Sequence, residues 1–233
     1  MMIDGTARRS AGDAPLITIV DDDAGIRDAI SDLLASVGIE AVSYGSTREA
    51  IAAPPIDRPG CFILDVRMPG GSGLDFQRQI GDERGGGKPI IFLTAHGDIP
   101  MSVQAMKAGA IDFLTKPFRD QTLLDAVEAG IERDRQQRRA AQICDTYLER
   151  FAMLTPRERE VMRYVAMGQL NKQIAYALGI SEVTVKLHRG NVMGKMQLTS
   201  IGELIRTWEI IAPYLPVTDN GEPAERAQLQ LVH

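Results

Sequence analysis

The 233-residue sequence predicts two units: a doubly wound α/β unit with a parallel five-stranded sheet, then a smaller all-α unit of four helices. Three observations lead there. Between residues 16 and 129, short apolar runs alternate with longer amphipathic stretches, the pattern of βα units packed around a parallel sheet. After residue 152 the apolar period is helical throughout and is punctuated by helix caps and glycines. A chain of this length also fits two ordinary domains of roughly 100–150 residues, each able to bury its own core.

Five strands are expected at 16–20, 40–44, 61–64, 89–94 and 112–115, separated by helices near 25–37, 47–53, 73–80, 100–108 and from 120 onward. Ser46 followed by Glu49 has the spacing of a capping box, and Gly38 after Val37 is a helix stop. Five such units suggest the flavodoxin-like strand order 2-1-3-4-5, in which ligands bind at the carboxyl ends of the strands. Between 120 and 152 there is no proline, and 132–139 is continuously polar, so the last helix can run on as a solvated connector; a flexible break near Arg138 is the competing reading. Four helices follow at 156–167, 171–178, 182–196 and 200–211. Pro156 stands in a first turn behind the cap Thr155, Gly168 and Gly179 end helices, and Ser181 caps the third. The short Gly179-Ile180-Ser181 connection is that of a helix-turn-helix. Residues 1–14 and 213–233, rich in small, proline and charged residues, read as flexible tails. The expected division is thus 15–130, a helical linker 131–152, and 153–212.

The composition is that of a soluble protein. No apolar run approaches the ~18 residues of a membrane span, and residues 1–14 lack the apolar stretch of an export signal, so the expected location is cytoplasmic. Cys61 and Cys144 are too isolated for a metal motif or a disulfide framework and read as reduced structural thiols. The net charge of −5 is uneven: residues 153–211 hold eight Lys+Arg and five Asp+Glu, leaving −8 for the remainder. An acidic first unit suits chemistry at a cation site, and a mildly basic second unit suits a duplex.

Carboxylates stand at the ends of the first and third strands: Asp21, Asp22 and Asp23 after one, Asp65 after the other. These strands are neighbours in the expected order, so the groups converge. Packed carboxylates repel, and a hard divalent cation such as Mg²⁺ resolves the repulsion. Such a cation also makes one carboxylate a feasible phosphoryl acceptor by neutralising charge on the transferring group. Thr94 at the end of strand four and Lys116 at the end of strand five offer a hydroxyl and an ammonium for the remaining phosphoryl oxygens. Lys116 precedes Pro117, and a cis bond there would aim the lysine inward, although only about one X–Pro bond in twenty is cis. Taken singly, each of these residues is an ordinary turn-former or solvated charge. Their joint placement at four strand ends is what points to chemistry.

The segments Ile-Val-Asp-Asp-Asp (19–23), Leu-Asp-Val-Arg-Met-Pro-Gly (64–70), Leu-Thr-Ala-His-Gly-Asp (93–98), Ala-Met-Lys-Ala-Gly-Ala-Ile-Asp-Phe-Leu (105–114) and Thr-Lys-Pro-Phe (115–118) resemble a response-regulator receiver domain, nearest the FixJ subgroup, over about 16–130. The resemblance implies that Asp65 is the phosphoacceptor, that Asp22 binds Mg²⁺ directly and Asp21 through water, and that the Arg67 backbone carbonyl is a further ligand. It also implies that Thr94 and Phe113 form a coupled switch pair and that Lys116 senses the phosphate. Asp23 leaves the run ambiguous by one position; the first two members follow the strand directly, and Asp23 fits the opening of the first helix.

In the second unit, Leu-Thr-Pro-Arg-Glu-Arg-Glu-Val-Met (154–162), Asn-Lys-Gln-Ile-Ala (171–175), Ile-Ser-Glu-Val-Thr-Val-Lys-Leu-His-Arg (180–189) and Val-Met-Gly-Lys-Met (192–196) resemble the LuxR-type helix-turn-helix over about 153–210. Read by angle, Val185, Val192 and Met196 form the packed stripe of the third helix, and Val183, Lys186, Leu187, Gly190, Asn191 and Gly194 face away. Each glycine costs a helix roughly 1 kcal/mol relative to alanine, so two on the outward side suggest close approach to DNA, with sequence drift as the bland alternative. Candidate DNA contacts are Lys172, Val183, Thr184, Lys186, Leu187, Arg189, Gly190 and Asn191. Lys186 is suited to bases or phosphate, Leu187 to a thymine methyl, and Arg189 and Lys172 to phosphate. Trp208 reads as core, with a dimer contact as its alternative. Together the two resemblances imply a two-component response regulator of the FixJ/NarL family, with a sensor histidine kinase, double-stranded DNA, RNA polymerase and a second copy of the chain as partners, Mg²⁺ as cofactor, and no membrane. Two rivals remain: a Mg²⁺-dependent phosphohydrolase, which would need a general acid/base that neither Val66 nor Arg67 supplies, and a DNA-binding protein whose first unit is only a dimerisation scaffold.

Overall fold

The computed structural model describes residues 14–68, 71–80, 87–95 and 99–215. Contacts divide the chain between Arg139 and Ala140. Most of the two expected tails, residues 85–86 of the glycine run, and Pro69, Gly70 and 96–98 of the motifs lie outside the described residues.

The first unit runs β1 (Leu16–Val20), α1 (Ala24–Ser36), β2 (Glu40–Tyr44), α2 (Thr47–Ala52), β3 (Phe62–Asp65), β4 (Arg67–Met68), β5 (Gly71–Ser72), α3 (Gly73–Ile80), β6 (Ile90–Thr94), α4 (Ile99–Lys107) and β7 (Asp112–Thr115), followed by the start of α5 (Asp120–Ala152). The sheet is parallel in the order β2-β1-β3-β6-β7, the flavodoxin-like order, with β6 and β7 as the expected fourth and fifth strands. Alternation along the strands feeds two cores. Ile17, Ile19, Ile63, Ile91 and Leu93 enter one, and Val20, Leu64, Ile90 and Phe92 enter the other, as period-two side chains on opposite faces must. The small antiparallel pair β4–β5 was not expected from sequence.

One feature of α5 bears out its expected continuity, and another corrects its expected solvated face. The helix is continuous from Asp120 to Ala152, so it does not break near Arg138. Nor is its polar run a purely solvated face, because Asp134 is only 4% exposed. Its carboxylate accepts from Gly60 N at 2.9 Å and Arg138 Nε at 2.9 Å, with Lys88 Nζ at 3.7 Å. Arg138 reaches on to Asp57 at 2.6 Å and the Arg58 carbonyl at 3.1 Å, and Lys88 to that same carbonyl at 2.6 Å. A buried carboxylate is tolerable when it is paired with cations and hydrogen-bonded in this way. Gly130 brings the helix in close: a Cβ there would lie 2.9 Å from Cys61 Sγ. Burial pushes the Cys61 thiol up to about 12, consistent with a structural role.

The second unit holds the end of α5, then α6 (Pro156–Ala166), α7 (Asn171–Leu178), α8 (Glu182–Met196) and α9 (Ile201–Ile211). Thr155 and Glu158 close a capping box on α6, while Ser181 and Ser200 cap α8 and α9. Val161, Met162, Ile174, Val185, Val192, Met196 and Ile211 are fully buried in one core. Ala212–Tyr214 adds a 3₁₀ turn that returns Leu215 to that core, so residues 213–215 belong to the unit and not to a tail. Trp208 is half-buried, its ring 6.2 Å from that of Phe151.

Glu158 gives this unit an acid-sensitive element. Its burial disfavours the carboxylate, but bonds from Lys195 Nζ at 2.6 Å and Thr155 N at 2.9 Å outweigh that and hold its carboxyl at about 2. A folded value below the ordinary 4.5 means stability that is complete above about pH 4.5 and lost as pH falls toward 2. With allowance for the partly exposed Lys195, the contribution is about 2 kcal/mol. Denaturant titrations followed by Trp208 fluorescence should show that slope, and Glu158→Gln should remove it.

Candidate functional site

The acidic site forms where β1, β3 and β7 end. Asp65 is the last residue of β3, one place later than the strand expected from sequence. Asp21 follows β1, only 1% exposed, and Asp22 beside it is exposed. Carboxylate oxygens of Asp21, Asp22 and Asp65 lie within 4.8 Å of one another. Lys116, just beyond β7, points its ammonium between two of them, at 2.6 Å from Asp21 Oδ2 and 2.9 Å from Asp65 Oδ2. The Lys116–Pro117 bond is cis. Asp23 is outside the cluster: its Oδ1 caps α1 by accepting from Gly25 N at 2.8 Å and Ile26 N at 3.3 Å, which resolves the one-position ambiguity in the run.

Close packing makes this convergence possible. A Cβ on Gly73 would lie 2.5 Å from the Asp65 carbonyl and 3.2 Å from the Phe92 ring, so a side chain there would push α3 off the end of β3. Burial raises the Asp21 carboxyl above its ordinary value, with Lys116 opposing and Asp65 reinforcing the shift. Burial also depresses Lys116, but its bonds to Asp21 and Asp65 prevail and hold it above its usual value, so it is a cation at neutral pH. Three hard carboxylate donors around one point are a set suited to Mg²⁺.

Thr94 ends β6, fully buried, and its carbonyl accepts from Lys116 N at 2.7 Å. Phe113 on β7 is half-buried with its ring 6.2 Å from Phe92, so β6 and β7 bring Thr94, Phe113 and Lys116 to one side of Asp65. Arg67 is exposed, and its backbone N donates to Asp65 Oδ1 at 3.2 Å. On α4, Val103 and Met106 are exposed and Met101 is half-buried, whereas Ala105 is fully buried in the core and contributes nothing to a surface. Sequence reading missed Gly73 and Arg27. Arg27 Nη1 donates to the carbonyls of Asp21 at 2.7 Å and Asp22 at 3.2 Å.

On α8, Val183, Lys186, Leu187, Gly190, Asn191 and Gly194 are all exposed, with Val183 at 77% and Leu187 at 63%. Thr184 is half-buried, and its hydroxyl lies 2.8 Å from that of Ser181 in the cap. Arg189 is also half-buried and donates to Asn171 Oδ1, so it links α8 to the start of α7. Lys172 is exposed in the first turn of α7; one turn on, Tyr176 is 92% exposed, a third residue the sequence reading passed over.

Comparison with known proteins assigns a family to each unit. Residues 17–128 match the response regulator receiver domain family, and 152–208 match the bacterial regulatory proteins of the luxR family. Nodulation protein W of Bradyrhizobium diazoefficiens is 49% identical over 196 residues, covering 84% of this chain and 86% of that protein. The transcriptional regulatory protein FixJ of Azorhizobium caulinodans is 41% identical over 204 residues, covering 87% and 95%. The solved structure of response regulator StyR is similar with a TM-score of 0.68 and 43% identity, covering 84% of this chain and 98% of that one. Among the described residues no helix is long and apolar enough to cross a membrane. With an acidic cluster on a receiver fold and a LuxR-type unit after it, the chain belongs to the FixJ/NarL-type two-component response regulators.

Proposed function

We propose that the chain is phosphorylated on Asp65 by a partner sensor histidine kinase, and that the phosphorylated form dimerises and binds a specific duplex to regulate transcription. The observation that carries this is the Lys116 ammonium held between Asp21 and Asp65 at 2.6 and 2.9 Å, beside the exposed Asp22. An oxygen of Asp65 forms the new O–P bond as the bond from phosphorus to the donor breaks, giving an acyl phosphate. Lys116 then offsets charge on the phosphoryl oxygens, and Thr94 supplies a hydroxyl to another of them. Asp21, Asp22, Asp65 and the Arg67 carbonyl would hold Mg²⁺, which when bound neutralises charge on the transferring group.

Drawing Thr94 toward the phosphoryl group frees space for Phe113 to turn inward, and β7 and α4 repack. Val103 and Met106, exposed on α4, then offer an apolar patch for a symmetric pair, while Ala105 is buried and takes no part in it. Two α8 helices in successive major grooves raise affinity without new contacts in either unit. The division at 15–130, 131–152 and 153–212, the last extended to Leu215, belongs to this reading, as do RNA polymerase as the eventual partner and a cytoplasmic setting. Solution mass and titration of an operator-length duplex, each with and without a small phosphodonor plus Mg²⁺, test it. Donor-dependent dimerisation and tighter binding are expected. An unchanged mass and affinity would favour the scaffold reading, and steady turnover of a phosphomonoester the phosphohydrolase.

A further inference from the structure

We infer that Arg27 is a positioning residue for the cation site: its guanidinium fixes the backbone of the Asp21–Asp22 pair so that both carboxylates are presented together. This rests on the reading of the acidic pocket as a Mg²⁺ site. Every polar group of Asp21 is held. Its N–H donates to the Tyr44 carbonyl at 3.2 Å, its Oδ1 accepts from Asp23 N at 3.0 Å, its Oδ2 accepts from Lys116 at 2.6 Å, and its carbonyl accepts from Arg27 Nη1 at 2.7 Å. The same nitrogen reaches the Asp22 carbonyl at 3.2 Å. Arg27 therefore spans the two consecutive peptide groups that carry the acidic pair. Asp22 needs this more than Asp21 does, because its own side chain is exposed and lies on the segment between β1 and α1.

The arrangement also has a reason in charge. Two aspartates on adjacent residues, with Asp65 nearby, repel in the absence of a cation, and the chain can relieve that by turning one peptide group away. A guanidinium on the two carbonyls opposes that rotation without occupying the carboxylates. Partners that orient metal ligands in this way typically account for about 10–100-fold in metal affinity.

The sign of the effect separates positioning from simple electrostatics. If Arg27 acted only as a nearby positive charge, removing it would tighten Mg²⁺ binding; if it positions the pair, removing it weakens binding. Calorimetric titration of the full chain with MgCl₂ alone should give a Kd at least about tenfold higher for Arg27→Met, with Arg27→Lys in between, since an ammonium keeps the charge but not the reach and fixed planar geometry of the guanidinium. The urea midpoint of both variants should stay close to that of the unmodified chain. Arg27→Gln, which retains one donor, takes the place of the methionine variant if that one does not fold, with the same expected direction. Unchanged or tighter Mg²⁺ binding overturns the inference, as does weakening that only accompanies loss of helical signal in every variant. Asp22→Ala distinguishes the two layers: if it keeps full Mg²⁺ affinity, the acidic-site reading fails, whereas loss in Asp22→Ala without loss in Arg27→Met removes Arg27 alone.

Discussion

Asp65→Asn is expected to fold and bind DNA like the unphosphorylated chain and to lose all response to a phosphodonor. The amide is close to isosteric and can still accept from Arg67 N, now 3.2 Å from Asp65 Oδ1, but it offers no carboxylate oxygen to form the O–P bond. It also gives up one of the two carboxylates that Lys116 bridges, and Asp21 at 2.6 Å retains the lysine. In the unmodified chain, dimerisation on a two-half-site operator should raise affinity by roughly 10²–10⁴ through effective concentration alone. The variant should show none of that gain. Thr94→Ala separates chemistry from response: it should accept the phosphoryl group, because Thr94 contributes no nucleophile, yet dimerise weakly, because the hydroxyl that couples the phosphate to Phe113 is gone. Phosphoprotein gels, sedimentation and duplex titration together check both variants. Donor-induced dimerisation of Asp65→Asn equal to that of the unmodified chain would exclude the phosphorylation switch.

The residues of this site that were legible in the sequence are those whose position on the fold follows from strand ends. Asp21, Asp22, Asp65, Thr94 and Lys116 each stand within two residues of a strand's carboxyl end, and strand order follows from the βα alternation, so their meeting could be inferred from the sequence. What escaped depends on contacts with no local signature. Arg27 looks like any solvated charge on a helix, and only the path of the β1–α1 segment brings two carbonyls beneath it. Asp134 lies in a polar run that reads as a solvated connector, and its burial is set by the backbone of Gly60, 74 residues away. On α4, Ala105 is buried while Val103 and Met106 are exposed, and in a nine-residue helix a small error of phase would exchange such positions. In α8 the phase was readable because Val185, Val192 and Met196, all fully buried, span three turns of one stripe.

That stripe fixes the outward face on which the second large effect should fall. Lys186→Ala should weaken operator binding, and if the lysine reads a base the loss is about 1–3 kcal/mol per contact with relaxed discrimination at one position. A dimer presents the residue twice, so the full operator should lose about 2–6 kcal/mol, tens to tens of thousands of times in affinity. Lys172→Ala behaves differently, since an ammonium in the first turn of α7 is suited to phosphate: it should weaken all duplexes alike and reduce the salt slope by about one per site. Gly190→Ala gives the most discriminating sign. An added Cβ there meets nothing within 4 Å inside the protein, so no internal packing requires the glycine, and alanine should stabilise the helix by up to about 1 kcal/mol. If the glycine is there to admit the duplex, the same substitution weakens DNA binding while raising the unfolding midpoint. Unfolding curves and duplex titrations on one preparation test this directly: a more stable variant with undiminished affinity would show that α8 does not approach DNA along the Lys186–Gly190–Gly194 line.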